Sequence, residues 1–227
     1  MKTIYRTYHF ELKPTPEQKT LLDKHFGCVR YIYNHFLNER KEQYQADKKS
    51  DNYYKQAATL TELKKKEVTI WLKEVNSQSL QFALRCLDTA YVNFFRGNLK
   101  FPVFKSRKKK NTFTAPQFTE LKENILQIPK FKQGIKTIVH RQVKGEIGKS
   151  TFSRSPTGKY FVSILSEEQY DPTQKTGKIS AIDLGIKDFA VTSDGIKFRN
   201  NKYTNQYERK LAQAQKFPCK RCVGFRK

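Results

Sequence analysis

Residues 4–12 alternate between two chemistries. Ile4, Arg6, Tyr8, Phe10 and Leu12 fall on one side of an extended chain, and Tyr5, Thr7, His9 and Glu11 on the other. That period of two predicts a half-buried strand. Pro14-Thr15-Pro16-Glu17-Gln18 then reads as a helix start, with Thr15 as N-cap, Pro16 at the first helical position and Gln18 completing a capping box. The apolar face of this helix is Leu21, Leu22, Phe26, Val29, Ile32 or Tyr33, and Phe36; Gly27 is expected to mark a close crossing or a break. A second helix is predicted over 59–75 and a third over 77–96. In the third, Leu80, Ala83, Leu84, Leu87, Tyr91, Phe94 and Phe95 recur at three- and four-residue spacing, and Gly97 supplies the stop. Such a stripe is first of all a helix-bundle core.

From about residue 112 the period shortens. Strands are predicted over 112–118, 124–130, 135–142, 147–154 and 159–165, with Ser155-Pro156-Thr157-Gly158 turning the last pair into a hairpin. A polar linker, Glu167–Lys178, leads to a further hairpin around Asp183, then a helix over 202–216 and an irregular tail. One strand before the helices and many after them imply helices inserted between strands of a single β unit. The fold class expected is α+β.

Charge narrows the function. Lys and Arg number 45 against 21 Asp and Glu, a net +24, and 13% of residues are aromatic. An excess of this size calls for a polyanionic partner: Lys and Arg meet phosphates, while Tyr and Phe stack on bases. No apolar run reaches roughly 18 residues, and no signal peptide opens the chain. No membrane partner is expected. Cys28, Cys86, Cys219 and Cys222 do not form a disulfide framework, and the first two, on apolar helical faces, read as reduced buried thiols.

Two segments carry candidate chemistry. The first is Ala181-Ile182-Asp183-Leu184-Gly185-Ile186-Lys187-Asp188-Phe189-Ala190-Val191, followed by Asp194-Gly195. A carboxylate buried in an apolar strand needs a cation or hydrogen bonds to compensate it, and a neighbouring glycine lets a phosphate backbone come close. Asp183 is therefore a candidate metal ligand, although an Asp bonded to nearby backbone at a strand end would look the same. The phosphate loop of actin- and Hsp70-like ATPases shares the pattern, but it follows Gly with Ser or Thr where this chain has Ile186-Lys187. The second segment is Phe101-Pro102-Val103-Phe104-Lys105-Ser106-Arg107-Lys108-Lys109-Lys110-Asn111. Pro102 and the charge density argue against a helix there, and aromatics interleaved with cations point to nucleic-acid contact rather than a merely solvated face.

The order of motifs resembles a known family. Phe26-Gly27-Cys28-Val29-Arg30-Tyr31-Ile32-Tyr33-Asn34, Leu87-Asp88-Thr89-Ala90-Tyr91-Val92-Asn93-Phe94-Phe95-Arg96, Phe101–Ser106 and the Asp183 hairpin are similar to the TnpB/OrfB proteins encoded by insertion sequences, relatives of type V CRISPR effectors. The likeness covers roughly residues 1–215 and disposes of the ATPase alternative. It implies a transposon-encoded, RNA-guided DNA endonuclease: a wedge-type β-barrel (1–13 plus 115–170) interrupted by a helical recognition domain (14–114, with basic segment 100–111), then the start of a RuvC/RNase-H-like domain (171–216). The partners implied are a transposon-derived guide RNA and a double-stranded DNA target with an adjacent motif, in the prokaryotic cytoplasm and on the nucleoid when DNA is bound. By motif, Asp183 is the first RuvC ligand for Mg²⁺, while Gln78, Gln81 and Thr114 look out on the target-adjacent motif. A Gln amide can bond an adenine edge bidentately. Lys105, Arg107, Lys108, Lys109 and Lys110 complete the nucleic-acid set.

The chain also departs from the family. Two-metal hydrolysis needs more than one carboxylate, and the family adds a later Glu and Asp. Only 44 residues follow Asp183 (227 − 183), and Asp188 and Asp194 sit poorly to substitute. No complete metal site is expected, and the chain is expected to be inactive as a nuclease. Residues 217–227 read as an out-of-frame tail, and Cys219 with Cys222 as half a zinc site at most, so no zinc is assigned. The alternative to a nuclease half is a non-catalytic RNA- and DNA-binding module or repressor.

Overall fold

The computed structural model describes residues 2–48, 51–108, 111–172 and 177–216. The chain separates into two compact units, residues 1–172 and 173–227. Lys109, Lys110 and the 217–227 tail with its two cysteines lie outside the described residues.

In the first unit β1 (Lys2–Lys13) leads to α1 (Pro16–Asp47), α2 (Tyr53–Leu63), a 3₁₀ helix (Glu67–Glu74) and α3 (Ser77–Phe95). Six strands follow: β2 (Asn111–Ala115), β3 (Glu120–Lys122), β4 (Ile125–Ile128), β5 (Phe131–Ile138), β6 (Glu146–Arg154) and β7 (Tyr160–Tyr170). All seven strands form one antiparallel sheet in the order β2-β6-β7-β1-β5-β4-β3. The first strand thus sits in the middle, pairing along Lys2–Leu12 with β7 and through Glu11–Lys13 with β5.

The architecture is α+β, and in place of the barrel that the family resemblance implies there is an open sheet. Closure would require β2 to meet β3 at the far end of the order, but β3 is three residues long and pairs only with β4. The predicted 112–118 strand stops early as well. Pro116 has no N–H to give a ladder, and Phe118 turns the chain with a left-handed φ of 58°. At the other end β7 runs past Leu165 into the expected linker, because Lys2–Tyr5 of β1 offers partners through Tyr170.

The core lies where the helices cover the sheet. Phe113, Phe152, Val162 and Phe10 stand directly opposite one another across β2, β6, β7 and β1, all buried. α1 lays Phe26 and His25 on this row, with ring centroids 5.3 and 4.8 Å from Phe113. The capping box forms as predicted: Gln18 N–H donates to the Thr15 side chain and Thr15 N–H to Gln18. Ile32 and Tyr33 are both buried. Gly27 neither breaks α1 nor marks a crossing, since a Cβ there would meet no atom within 4 Å.

The second helix differs most from its prediction. Asn52 caps it, its side chain accepting from Lys55 N–H, so α2 starts at Tyr53 and ends at Leu63. Beyond Lys64-Lys65-Lys66 the Thr69 hydroxyl donates to the Leu63 carbonyl, a local bond that competes with continuing the α-helix. In α3 the predicted stripe is buried through Tyr91, but Phe95 extends past the core and is exposed. Cys28 is buried and its thiol pushed up to about 12 by desolvation; Cys86 is half-buried and shifted the same way for the same reason.

The second unit is small. β8 (Ile182–Asp183), β9 (Asp188–Thr192) and β10 (Lys197–Arg199) form a three-stranded sheet in the order β10-β9-β8, followed by α4 (Tyr203–Lys216). The Asp194-Gly195 turn, with Gly195 at φ 80°, joins β9 to a third strand that the sequence pattern did not predict.

Candidate nucleic-acid interface

The basic segment is held by one side of α1. Asn34 grips the backbone of Lys105 at both ends: its amide donates to the Lys105 carbonyl (2.9 Å) and its oxygen accepts the Lys105 N–H (2.8 Å). One turn earlier, Arg30 donates to the Asn111 side chain at 3.1 Å. Two turns later, the Lys41 ammonium lies 4.5 Å from the Phe104 ring centroid and 5.4 Å from that of Phe101. These contacts fix an irregular, Pro-containing backbone that has no ladder of its own.

The predicted cations divide into two kinds. Lys105 turns its ammonium back over the Tyr33 ring, 4.0 Å from the centroid. The residue as a whole remains solvent-accessible, but heavy atoms crowd the charged end, and desolvation holds its pKa below the usual lysine range. Lys105 is therefore an anchor. Arg107 and Lys108 are exposed and form no ion pair among the described residues.

Gln78 and Gln81 lie in the first turns of α3. The Asn76 side chain caps that helix by accepting from Gln78 N–H at 3.0 Å. Asn76 is itself fixed by its N–H, which donates to His25 Nε2 at 3.1 Å, while His25 Nδ1–H donates to the Leu21 carbonyl at 2.8 Å. Both ring nitrogens are thus used by the neutral imidazole, and burial pushes the His25 pKa down to about 4. Gln78 donates to the Gln117 side chain at 3.1 Å. Gln78 and Gln81 share a shallow cavity of about 100 Å³ with Arg85 and Gln117. Thr114 does not line it: this side chain is buried, with its hydroxyl 3.0 Å from that of Thr151.

Sequence reasoning missed Asn34, Arg85 and Gln117. Arg85 follows Gln81 by one helical turn, a spacing that places both on one face. Asn34 ends the Phe26–Asn34 motif, and its role is not visible there because its partner lies 71 residues away.

Asp183 stands on the two-residue strand β8, paired with Val191. Its side chain is exposed, not buried as expected, so water can solvate the carboxylate without a compensating cation. Among the described residues no group of three His, Cys, Asp or Glu side chains is placed to hold a metal ion.

Comparison with known proteins adds the lineage. The model of a helix-turn-helix domain of the OrfB/IS605 type matches residues 1–49; within that span the described residues form β1 and α1. A "Putative RNA-guided DNA endonuclease" of Streptomyces pristinaespiralis is 34% identical over 229 aligned residues, covering 99% of this chain and 57% of the relative. The chain belongs to the TnpB/OrfB family. Another member, "Putative RNA-guided DNA endonuclease InsQ" of Escherichia coli K12, is 32% identical over 213 residues, or 93% of this chain and 53% of the relative. The TnpB/OrfB chain described here spans about half the length of these curated relatives. The "Virulence protein VsdF" of Salmonella dublin is 38% identical over 106 residues, 43% of this chain and 89% of that protein. Among solved structures, a chain of a Cas12f1–sgRNA–target DNA complex aligns over 93% of this chain and 61% of its own length at a TM-score of 0.38 and 13% identity, too loose a likeness to carry an argument. No helix among the described residues is long and apolar enough to cross a membrane.

Proposed function

We propose that this chain is the nucleic-acid-binding part of a TnpB-like RNA-guided DNA endonuclease, taking a transposon-derived guide RNA and a target-adjacent DNA motif. The observation that carries the reading is the Asn34 clamp, which spends two side-chain hydrogen bonds on holding the backbone beside Arg107 and Lys108. A charge run that served only solubility would need no such fixation. In this reading the first unit corresponds to the wedge and recognition parts, with Gln78, Gln81, Arg85 and Gln117 as the surface that meets the adjacent DNA motif. The second unit corresponds to the start of a RuvC-like domain, with Asp183 as its first carboxylate. The intact family's Mg²⁺ would supply Lewis-acid activation of water and leaving group. Asp183 alone, exposed and with no acidic cluster around it among the described residues, does not fit that ion.

The same observation favours a second reading, in which the chain binds without cutting, as a module or repressor derived from such a nuclease. Both readings are tested by purifying the full chain from its host and sequencing the RNA that accompanies it. RNA from an insertion-sequence end supports the guide reading; random cellular RNA contradicts it. Incubation of that complex with Mg²⁺ and a matched duplex then separates the two. Cutting that is lost on Asp183→Ala supports the nuclease, and intact duplex supports the binding module.

A further inference from the structure

The sheet has a second, largely polar face, on which His9 is exposed, Thr114 is buried and the side chains between them are half-buried. Opposite the Phe113–Phe152–Val162–Phe10 core row, the alternating residues of the same four strands form two polar rows. Thr114, Thr151, Ser163 and His9 stand directly opposite one another across β2, β6, β7 and β1, and Thr112, Ser153, Phe161 and Glu11 form the next row. Here the sequence places hydroxyls on almost every strand, with one aromatic and one imidazole among them. Those two rings meet diagonally. His9 and Phe161 are nearly parallel, 14° apart with centroids 5.1 Å from each other, and the His9 Nδ1 bonds the Ser163 hydroxyl at 3.0 Å.

The basic loop borders this face. Arg107, Lys108 and Arg154, with the two rings and the hydroxyl residues Thr112, Thr151, Ser153 and Ser163, line a groove of about 700 Å³. Among the described residues, none of those lining it carries a carboxylate. Arg154 is held by Asp23 at 2.8 Å, and Glu11, opposite Phe161, is engaged by Lys13 at 2.5 Å. Arg107 and Lys108 remain as uncommitted cations at the rim.

We propose that this groove is a binding site for an unpaired segment of nucleic acid, with one base extending the His9–Phe161 stack and its phosphates meeting Arg107 and Lys108. The proposal rests on the nucleic-acid reading above and goes beyond it by naming a site apart from the Gln78 cavity. Rings supply a surface for a base, hydroxyls bond its edge or the sugar, and unpaired cations take the backbone. A small neutral ligand would leave the cations without a role. A duplex would present no free ring to the stack.

The full chain is titrated with a short single-stranded oligonucleotide carrying 2-aminopurine, in RNA and in DNA form, at low salt. Stacking on the rings quenches the probe, and stronger quenching by one form assigns the source. Phe161→Leu keeps an apolar side chain but removes the π face. It is expected to abolish quenching and weaken binding roughly five- to hundredfold, the range for one base–aromatic stack. Ultraviolet cross-linking of the unaltered chain is expected to place an adduct on the β7 peptide containing Phe161, a readout that does not depend on any variant folding. Unchanged quenching in Phe161→Leu, or adducts confined to other elements, would overturn the groove while leaving salt-sensitive binding, and hence the broader reading, intact. Failure of both oligonucleotides to bind at all would overturn the groove and the broader reading together.

Discussion

The two units use similar residues to opposite effect. In the first, Leu22, Ile32, Phe36, Leu80, Leu84 and Leu87 of α1 and α3 are fully buried, joined in one cluster with Phe10, Phe113, Phe152 and Val162 of the sheet. In the second, Ile179, Ile182, Leu184, Ile186 and Phe189 are exposed by 62–94%, Ala190 is the one buried apolar side chain among the described residues, and α4 buries none of its described residues. An apolar pattern therefore marks surface that has to be covered, and does not by itself supply the cover. Each buried leucine gains on the order of 2 kcal/mol; the exposed ones gain little. A three-stranded sheet whose first strand has two residues is marginal without a packed face.

The largest test of this contrast is hydrogen exchange. Amides of α3 and β7 are expected to exchange at least about a thousandfold more slowly than those of 179–198, because the former open only with the cooperative core. Equal protection would mean that the second unit has found cover. Next in size is a pair of truncations read by denaturant unfolding. Leu84→Ala should cost about 2–5 kcal/mol, whereas Leu184→Ala, at an exposed site, should stay within about 0.5 kcal/mol.

Protonation sharpens the first unit further. His25 is neutral when folded, with its pKa lowered to about 4 from 6.5 by burial. The unfolded chain therefore takes up the proton first as pH falls. Stability should be unaffected above about pH 6.5 and decline between 6.5 and 4, by up to about 3 kcal/mol in total. His25→Gln should remove this part of the pH dependence, leaving only the slope from carboxylates; an identical pH profile would show that His25 does not link α1 to α3 as described.

The smallest effect expected is at Asn34. Removing its two bonds with Asn34→Ala should cost roughly 1 kcal/mol, since net values per bond are about 0.5–1.5 kcal/mol and this pair is exposed to solvent. Exchange at the Lys105 amide should rise while α3 stays protected. Unchanged exchange there would show that the clamp does not hold the basic loop.

What could be read from sequence was local. The Thr15–Gln18 capping box lies within four residues, and the period-two strands and the α3 stripe need only their own spacing. Asn52 as an earlier cap, and the Thr69 bond that ends α2, were local as well but were masked by a continuous-looking helical pattern over 59–75. The open sheet was not legible, because closure depends on whether β2 meets β3, and no spacing within either strand records that. The groove was the least legible feature. His9 and Ser163 are 154 residues apart, and only the register of β1 against β7 sets them side by side. The expected burial of Asp183 is a different case: its apolar neighbours predicted it, but the two-residue strand they form is too short to bury the side chain.

The central claim is that the clamped loop beside α1 is one of the first unit's contacts with nucleic acid. It is tested most directly by the salt dependence of single-stranded RNA binding to the full chain and to the double variant Arg107→Gln, Lys108→Gln. Each phosphate neutralised on a single strand contributes about −0.7 to the log–log slope, so loss of both contacts should flatten the slope by about 1.4 (twice 0.7). A slope indistinguishable from that of the unaltered chain would contradict the account and leave the loop as a fixed but solvated edge.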